Sequence, residues 1–282
     1  MKFTIIADSS CDLKDDYIKS KDISFETIPL SISINGEDWV DDESLDTLTL
    51  IDAMKANKTK PVTACPSVER FAEAMRNGGD IVFCVTITSK LSGTYNSARL
   101  AAEAVMAENP EKKIYVVDSL ATSCSMILII DKLVAMIEAG TDFEQMVEQI
   151  DKFRDNTKVR FVLQDFGNLV KTGRMSKVKG AIATGLGIKL ICGDDGQGEI
   201  KQVAKSIGLG KAMQMMSDLP QAKMESNGKD TPIVISHCQN EEGALQLKRL
   251  IEEKHGATNV RIVLARGLVT FYANNKGLII GY

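Results

Sequence analysis

Short apolar runs alternate along this chain with longer stretches in which apolar side chains recur at helical spacing. The apolar runs predict strands at residues 3–7, 28–34, 81–86, 113–117, 160–163, 188–192, 199–203, 233–236 and 260–264. The amphipathic stretches predict helices at residues 13–19, 45–56, 68–76, 93–107, 122–138, 143–154, 209–225 and 241–254. This alternation predicts an α/β fold with a largely parallel sheet that has helices on both faces.

Two short motifs mark breaks in this pattern. The alternating run at 28–34 ends in Asn35-Gly36, which is a strong signal for a hairpin turn. Prolines stand at both ends of residues 61–66 and bias the residues before them toward extended backbone. This second segment is therefore predicted to be a stiff, non-helical connector.

The charged residues are distributed unevenly, although the net charge is only −4. Residues 1–156 carry 16 Lys and Arg against 27 Asp and Glu, whereas residues 157–282 carry 18 against 11. The sign of the charge therefore changes near residue 156, and 282 residues are enough for two domains of ordinary size. We expect an N-terminal α/β lobe at 1–156 and a smaller C-terminal α/β lobe with a mixed sheet at 157–282.

The composition narrows the class of protein further. With 44% hydrophobic and 26% charged residues, the chain is typical of a folded domain. The N-terminus lacks a signal-like segment and the longest apolar run, at 126–130, is too short for a membrane span, so a cytoplasmic protein is expected. The six cysteines have neither paired nor zinc-type spacing, so we expect free thiols and no metal. The excess of acidic over basic residues disfavours nucleic acid as a partner.

Hydroxyl-rich turns follow three of the predicted strands. They read Asp8-Ser9-Ser10, Ser92-Gly93-Thr94 and Asp118-Ser119. Each could simply cap a helix, but the carboxyl ends of parallel strands meet at one sheet edge, where ligands gather. Hydroxyls and a glycine at a helix start allow close approach of an anion, so a carboxylate or a phosphate is the expected guest.

Sequence motifs for catalysis are missing. Nucleophile-elbow, phosphate-loop and dinucleotide patterns all fail, and the two histidines, His237 and His255, are better explained as structural residues. Twelve methionines among many Ile and Leu could give a flexible lining suited to aliphatic shapes, although ordinary core packing explains any single one of them. The residues therefore favour a binding protein over an enzyme.

Taken together, these motifs resemble the DegV family of bacterial fatty-acid-binding proteins. The residues that carry the likeness are Asp8-Ser9-Ser10 with Asp12-Leu13, Thr63 with Pro66-Ser67, Leu91-Ser92-Gly93-Thr94-Tyr95 with Ser97-Ala98, Asp118-Ser119, and Leu169 with Gly173-Arg174-Met175-Ser176. The resemblance implies two α/β lobes that enclose one fatty acid, with its tail in an apolar tunnel. It also implies a carrier without a cofactor, which presents the acid to a separate fatty acid kinase for phosphorylation.

The resemblance implies site residues as well. It assigns the carboxylate to Thr63, Ser92, Gly93 and Thr94, with Ser9 and Ser119 in support, and the contact with the kinase to Arg174. Aligned on the flanking glycines, Ala273 replaces the histidine that usually helps to hold the carboxylate. We expect Tyr272 or Asn274 to compensate. An arginine that usually follows the second-lobe hairpin is also missing from Lys205-Ser206-Ile207.

Two other readings stay open at this stage. The chain could be an enzyme or kinase subunit that acts on a small carboxylated or phosphorylated metabolite through the same anion site, although no general base beside Ser92 can be named. Alternatively, the basic stretch at 158–179 could dock an acidic partner in a regulatory module, or it could be an ordinary solvated face.

Overall fold

The computed structural model describes residues 2–175 and 187–282. The strands are β1 Phe3–Asp8, β2 Ile23–Ile28, β3 Ser31–Ile34, β4 Glu37–Val40, β5 Val62–Ala64, β6 Ile81–Thr86, β7 Lys113–Asp118, β8 Val159–Val162, β9 Ile188–Asp194, β10 Ile200–Ile207, β11 Ile233–His237, β12 Val260–Leu264 and β13 Leu278–Gly281. The helices are α1 Thr47–Ala56, α2 Val68–Asn77, α3 Thr94–Glu108, α4 Cys124–Glu138, α5 Phe143–Asn156, α6 Gly167–Lys171, α7 Leu209–Asp218, α8 Gln221–Asn227, α9 Glu241–His255 and α10 Gly267–Ala273. Ser176, which belongs to the family-like segment, and residues 177–179 of the basic stretch lie outside the described residues.

The first sheet is parallel and is buried on both faces. Its strand order is β2-β1-β6-β7, with every neighbour parallel. Adjacent residues of β1 point to opposite sides: Ile6 packs in the core cluster of α2 and α3, and Ile5 packs in the cluster that contains α4. Strands covered on both faces are apolar at nearly every position, which is why the continuous run at 81–86 predicts β6 so well. The predicted α/β class is confirmed.

The second sheet is mixed and has the order β10-β9-β8-β13-β11-β12. Strand β13 runs antiparallel to both β8 and β11, so the end of the described chain forms the middle of this sheet. Gly281 lets β13 pack against α4, because a Cβ at this position would lie 2.6 Å from the Cβ of Cys124. Helix α4 thus joins the two lobes into one hydrophobic core.

A small third sheet, β4-β3-β5, lies beside the first. The predicted hairpin is confirmed: Asn35 and Gly36 have φ angles of 54° and 83°, as a two-residue turn of the primed type requires. The proline-flanked connector is extended and forms β5, in which Thr63 pairs with Ile32. This pairing fixes the position of Thr63 at the edge of the sheet.

Three sequence predictions of secondary structure are wrong. Residues 13–19 form turns, because the short 3-10 helix Ser9–Cys11 ends at Asp12, which has a left-handed φ of 62°. The strand predicted at 28–34 begins too early: β3 covers only Ser31–Ile34, and Ile28 is the last residue of β2, which ends before Pro29. The single helix predicted at 209–225 is divided into α7 and α8 at Pro220, since proline cannot continue the hydrogen-bond ladder.

The lobes meet along a buried polar seam. The carboxylate of Asp41 accepts hydrogen bonds from the backbone N–H groups of Gly267 (2.7 Å) and Leu268 (2.9 Å), at the start of α10. The guanidinium of Arg266 donates to the carbonyl oxygens of Leu13 (2.6 Å) and Asp41 (2.7 Å). These bonds attach α10, which belongs to the second half of the chain, to loops of the first half.

Helix α5 ends at Asn156, where the charge sign changes, and β8 then begins the second sheet. The division into lobes at 1–156 and 157–282 remains our proposal.

Among the described residues, no helix combines the length and the apolar character that crossing a membrane requires.

The seam yields a prediction about stability. Asp41→Ala should lower the free energy of unfolding by about 3–5 kcal/mol, because it leaves two buried amides without their acceptor and the buried guanidinium of Arg266 without the carboxylate that lies 4.0 Å from its Nε. Asp46→Ala removes an exposed carboxylate that caps α1 in the same way and should cause a much smaller loss. Denaturant unfolding of both variants tests the prediction, and equal losses would contradict it.

Candidate functional site

A cavity of about 360 Å³ lies between the two lobes. Its walls are largely aliphatic and aromatic, and its volume is within the range of small-molecule sites in proteins. The first lobe contributes Leu30, Thr63, Ala64, Cys65, Ile87, Leu91, Ser92, Gly93 and Thr122; the second contributes Phe161, Leu163, Leu169, Arg174, Ile200, Leu268, Val269, Tyr272, Ala273 and Ile279.

Part of the polar lining bridges the lobes. The hydroxyls of Thr63 on β5 and Tyr272 on α10 are hydrogen-bonded at 2.8 Å. Thr63 is positioned by the pairing of β5 with β3, and Tyr272 by the attachment of α10 to the seam. The two side chains are 209 residues apart in the chain, so their contact depends on the complete fold.

The turn before α3 supplies the other polar groups. Ser92 and Gly93 line the cavity, whereas Thr94 is buried behind Ser92, with 2.8 Å between the two hydroxyl oxygens. The N–H of Thr94 also donates to Ser92 Oγ at 3.3 Å. Gly93 adds no side chain here; a Cβ at this position would lie 3.5 Å from Cys65 Sγ. The start of a fifteen-residue helix thus faces the cavity, with the positive end of the helix dipole directed at any ligand there.

Besides Thr94, three of the sequence-predicted residues are not among the residues that line the cavity. Ser9 accepts a hydrogen bond from the N–H of Leu30 at 3.1 Å, and Ser119 makes hydrogen bonds to both backbone groups of Ala121. Asn274 donates to Asp165 at 3.0 Å. All three side chains hold loops in place.

Arg174 is the one charged residue in the described part of the lining. Its Nη1 donates to the carbonyl oxygen of Thr172 at 2.8 Å, and its Nε donates to that of Leu91, in the other lobe, at 3.4 Å. A polar groove of about 380 Å³ adjoins the cavity here and includes Lys90 and Glu199. Arg174 thus stands where the apolar cavity meets a polar surface.

Ala273 lies in the cavity wall beside Tyr272, which is one of the two residues expected to compensate for the missing histidine. Ala273 lines the cavity with a methyl group, and the polar atom that α10 contributes is the hydroxyl of the preceding residue, Tyr272. Sequence reasoning also missed Cys65 and Thr122. Cys65 could have been noticed, because it belongs to the same proline-flanked segment as Thr63.

The described part of the cavity lining offers no group that could act as a general base. Among the described residues, the lining includes neither a carboxylate nor an imidazole. His237 is buried, accepts a hydrogen bond from the N–H of Asn240, and has a pKa that burial lowers. His255 ends α9. No cluster of metal-binding side chains occurs in residues 2–175 and 187–282.

An apolar cavity enclosed by two α/β lobes, with hydroxyls and a helix start in its wall, defines a two-lobed ligand-binding protein. The particular family follows from comparison: the model of the DegV family matches residues 2–278, and the chain belongs to that family. A DegV domain-containing protein of Streptococcus pyogenes serotype M1 is 34% identical over 282 residues, which cover 100% of this chain and 99% of the relative.

Solved structures of relatives contain fatty acids. The fatty acid kinase (Fak) B3 protein of Streptococcus pneumoniae, loaded with linoleic acid, superimposes with a TM-score of 0.92 at 34% identity, over 100% of this chain and 99% of that one. A DegV family protein of Ruminococcus gnavus, refined with vaccenic acid, has a TM-score of 0.92 at 34% identity and 99% coverage of both chains.

The exposure of the six cysteines predicts which thiol reacts first. Cys65 is exposed, whereas the other five cysteines are buried and burial raises the pKa of each of their thiols. A thiol-specific reagent should therefore modify one cysteine rapidly in the native protein, and Cys65→Ser should abolish that reaction. Peptide mapping after a short exposure tests this; a second, equally fast site would contradict it.

Proposed function

We propose that this chain is a fatty-acid carrier that holds the acyl tail in the inter-lobe cavity. The observation that carries the proposal is the division of the lining, which is mainly apolar but has polar groups on β5 and at the start of α3 in the first lobe and on α10 in the second. An amphiphile with a long apolar tail and a small anionic head matches that division. The relatives loaded with linoleic and vaccenic acids support it.

In this proposal the carboxylate is bound by hydroxyls and an amide-rich helix start instead of by a lysine. Thr63, Ser92 and Gly93 contact the carboxylate, and Thr94 orients the hydroxyl of Ser92. Tyr272 orients Thr63 from the opposite lobe. Hydrogen bonds to an ionised acceptor are roughly twice as strong as neutral ones, so a few such donors are sufficient.

The carrier presents its acid to a fatty acid kinase in the cytoplasm, which forms an acyl phosphate. This part of the proposal is supported by the likeness to Fak B3 and by the position of Arg174 between the cavity and the adjoining polar groove. The lack of a carboxylate or imidazole in the described lining favours a carrier over an enzyme that acts alone.

The first test identifies the ligand. Mass spectrometry of an organic extract of the native purified protein should detect one fatty acid per chain. Added fatty acid should also protect Cys65 from the thiol reagent, because Cys65 lines the same cavity. An extract without acyl chains, together with unprotected Cys65, would overturn the proposal. Turnover of a small metabolite without any partner would favour the enzyme alternative instead.

The second test addresses the carboxylate site. Ser92→Ala should weaken fatty-acid binding by about 1.5–3 kcal/mol, or about 10- to 100-fold, because it removes a donor to a charged group. Tyr272→Phe should cause a smaller loss, since it removes the group that orients Thr63 and leaves the donor in place. Ser226→Ala and Tyr115→Phe are matched controls, because each removes a hydroxyl that is hydrogen-bonded elsewhere. Calorimetric titration measures all four variants, and unchanged affinity in Ser92→Ala would refute the assignment.

The third test addresses the partner. A fatty acid kinase supplied with ATP should form acyl phosphate from the loaded protein, and Arg174→Glu should reduce the rate more than tenfold by reversing a charge at the docking face. Arg249→Glu reverses an exposed charge on α9 of the same lobe and serves as the control. Lipid content is measured first, so that loss of acid is distinguished from loss of docking. Equal rates for the two variants would contradict the docking role.

A further inference from the structure

Asp12 is a buried carboxylate at the seam between the lobes. Its Oδ1 accepts a hydrogen bond from the backbone N–H of Arg266 at 2.8 Å. Its Oδ2 is contacted by two hydroxyls, Ser123 Oγ at 2.5 Å and Ser236 Oγ at 2.9 Å. Asp12 thus connects the start of α4 with the end of β11 and the start of α10, although it lies outside the cavity.

The charges in this region do not balance. Two other buried carboxyl groups lie in this region, Asp8 at the end of β1 and Asp41 just after β4, and Arg266 is the buried cation here among the described residues. The remaining titratable neighbours are buried thiols, those of Cys11, Cys124 and Cys238. An excess of buried negative charge is expensive in a medium of low dielectric constant, so one carboxyl is expected to be neutral.

The hydrogen-bond partners identify which one. Each oxygen of Asp8 and of Asp41 accepts from a backbone N–H group, which can only donate, and Asp8 Oδ1 is contacted by the hydroxyl of Ser10 as well. A proton on any of these four oxygens would compete with an N–H donor. The partners found for Asp12 Oδ2 among the described residues are hydroxyls alone, which donate or accept by rotation. Ser123 Oγ also has a second acceptor for its hydrogen, Cys124 Sγ at 3.7 Å.

We propose that Asp12 is a proton-binding site of the seam: in the folded protein its Oδ2 carries a proton and donates it to Ser123 Oγ. The hydrogen of Ser123 then turns toward Cys124 Sγ, while Ser236 continues to donate to Asp12 Oδ2. Every polar group keeps a partner in this arrangement, and the excess buried charge is reduced by one. No ligand takes part, so the inference is independent of the proposed function.

The pKa values of the three carboxyl groups agree with the assignment of the proton to Asp12. Burial raises the pKa of Asp12 from 3.8 to about 7, and that of Asp8 and Asp41 to about 6. Folding raises the pKa of Asp12. Between about pH 4 and pH 7, therefore, the folded state keeps a proton that the unfolded state has already released. The stability contributed by that proton is complete at low pH and is lost as the pH rises through about 7.

Asp12→Asn tests the proposal, because an amide imitates the neutral carboxyl: its oxygen accepts from Arg266 and its NH₂ donates to both hydroxyls. We expect near wild-type stability at about pH 6, and a smaller loss of stability than wild type between about pH 6 and pH 8. Asp41→Asn is the matched comparison. It should be strongly destabilised, since its NH₂ would face a backbone N–H.

A direct measurement accompanies the unfolding curves. Carbon-13 NMR of labelled aspartate should show one carboxyl that titrates near pH 7, and Asp12→Asn should abolish that signal. The proposal would be overturned by strong destabilisation of Asp12→Asn at about pH 6, by an unchanged dependence of its stability on pH, or by an Asp12 signal that remains ionised down to about pH 5.

Discussion

Two carboxylates of the first lobe bind three consecutive amides at the start of α10, and the shape of the cavity depends on that attachment. Asp12 accepts from the N–H of Arg266, and Asp41 accepts from those of Gly267 and Leu268. The helix that begins there supplies part of the cavity wall and carries Tyr272. Because these bonds are buried, they are strong enough to fix the helix, and the contact between Tyr272 and Thr63 follows from its position.

The polar groups of the cavity act through orientation more than through charge. Each hydroxyl of the proposed carboxylate site is already hydrogen-bonded to another: Thr63 to Tyr272, and Ser92 to Thr94. Preorganised donors hold an anion without a large cost of ordering, and a site without a lysine avoids the strong ion pair that would oppose release. Arg174 supplies positive charge at the border with the polar groove, where a partner could approach.

Local patterns in the sequence were sufficient to predict the elements whose burial is uniform. The continuous apolar run of β6 is of this kind. The turn at Asn35-Gly36 was also predicted from local residues, and the turn at Ser92-Gly93 was correctly placed at the start of a helix. The pattern failed where a distant partner decides the structure. Residues 13–19 have helical spacing, but Asp12 adopts a left-handed conformation and contacts the other lobe. Strand β13 is a strand because β8 and β11 pair with it. Tyr272 was one of two expected substitutes, and only the position of α10 separates it from Asn274.

The same seam couples the protonation of Asp12 to the wall of the cavity through adjacent backbone groups. Loss of the proton on Asp12 places a second charge beside Asp41, and the amides that both carboxylates bind belong to one turn of chain. The first turn of α10 must then hold two anions with one buried cation, Arg266, to offset them. The protonation state of Asp12 therefore changes the charge beside the first turn of α10, the helix that carries Tyr272.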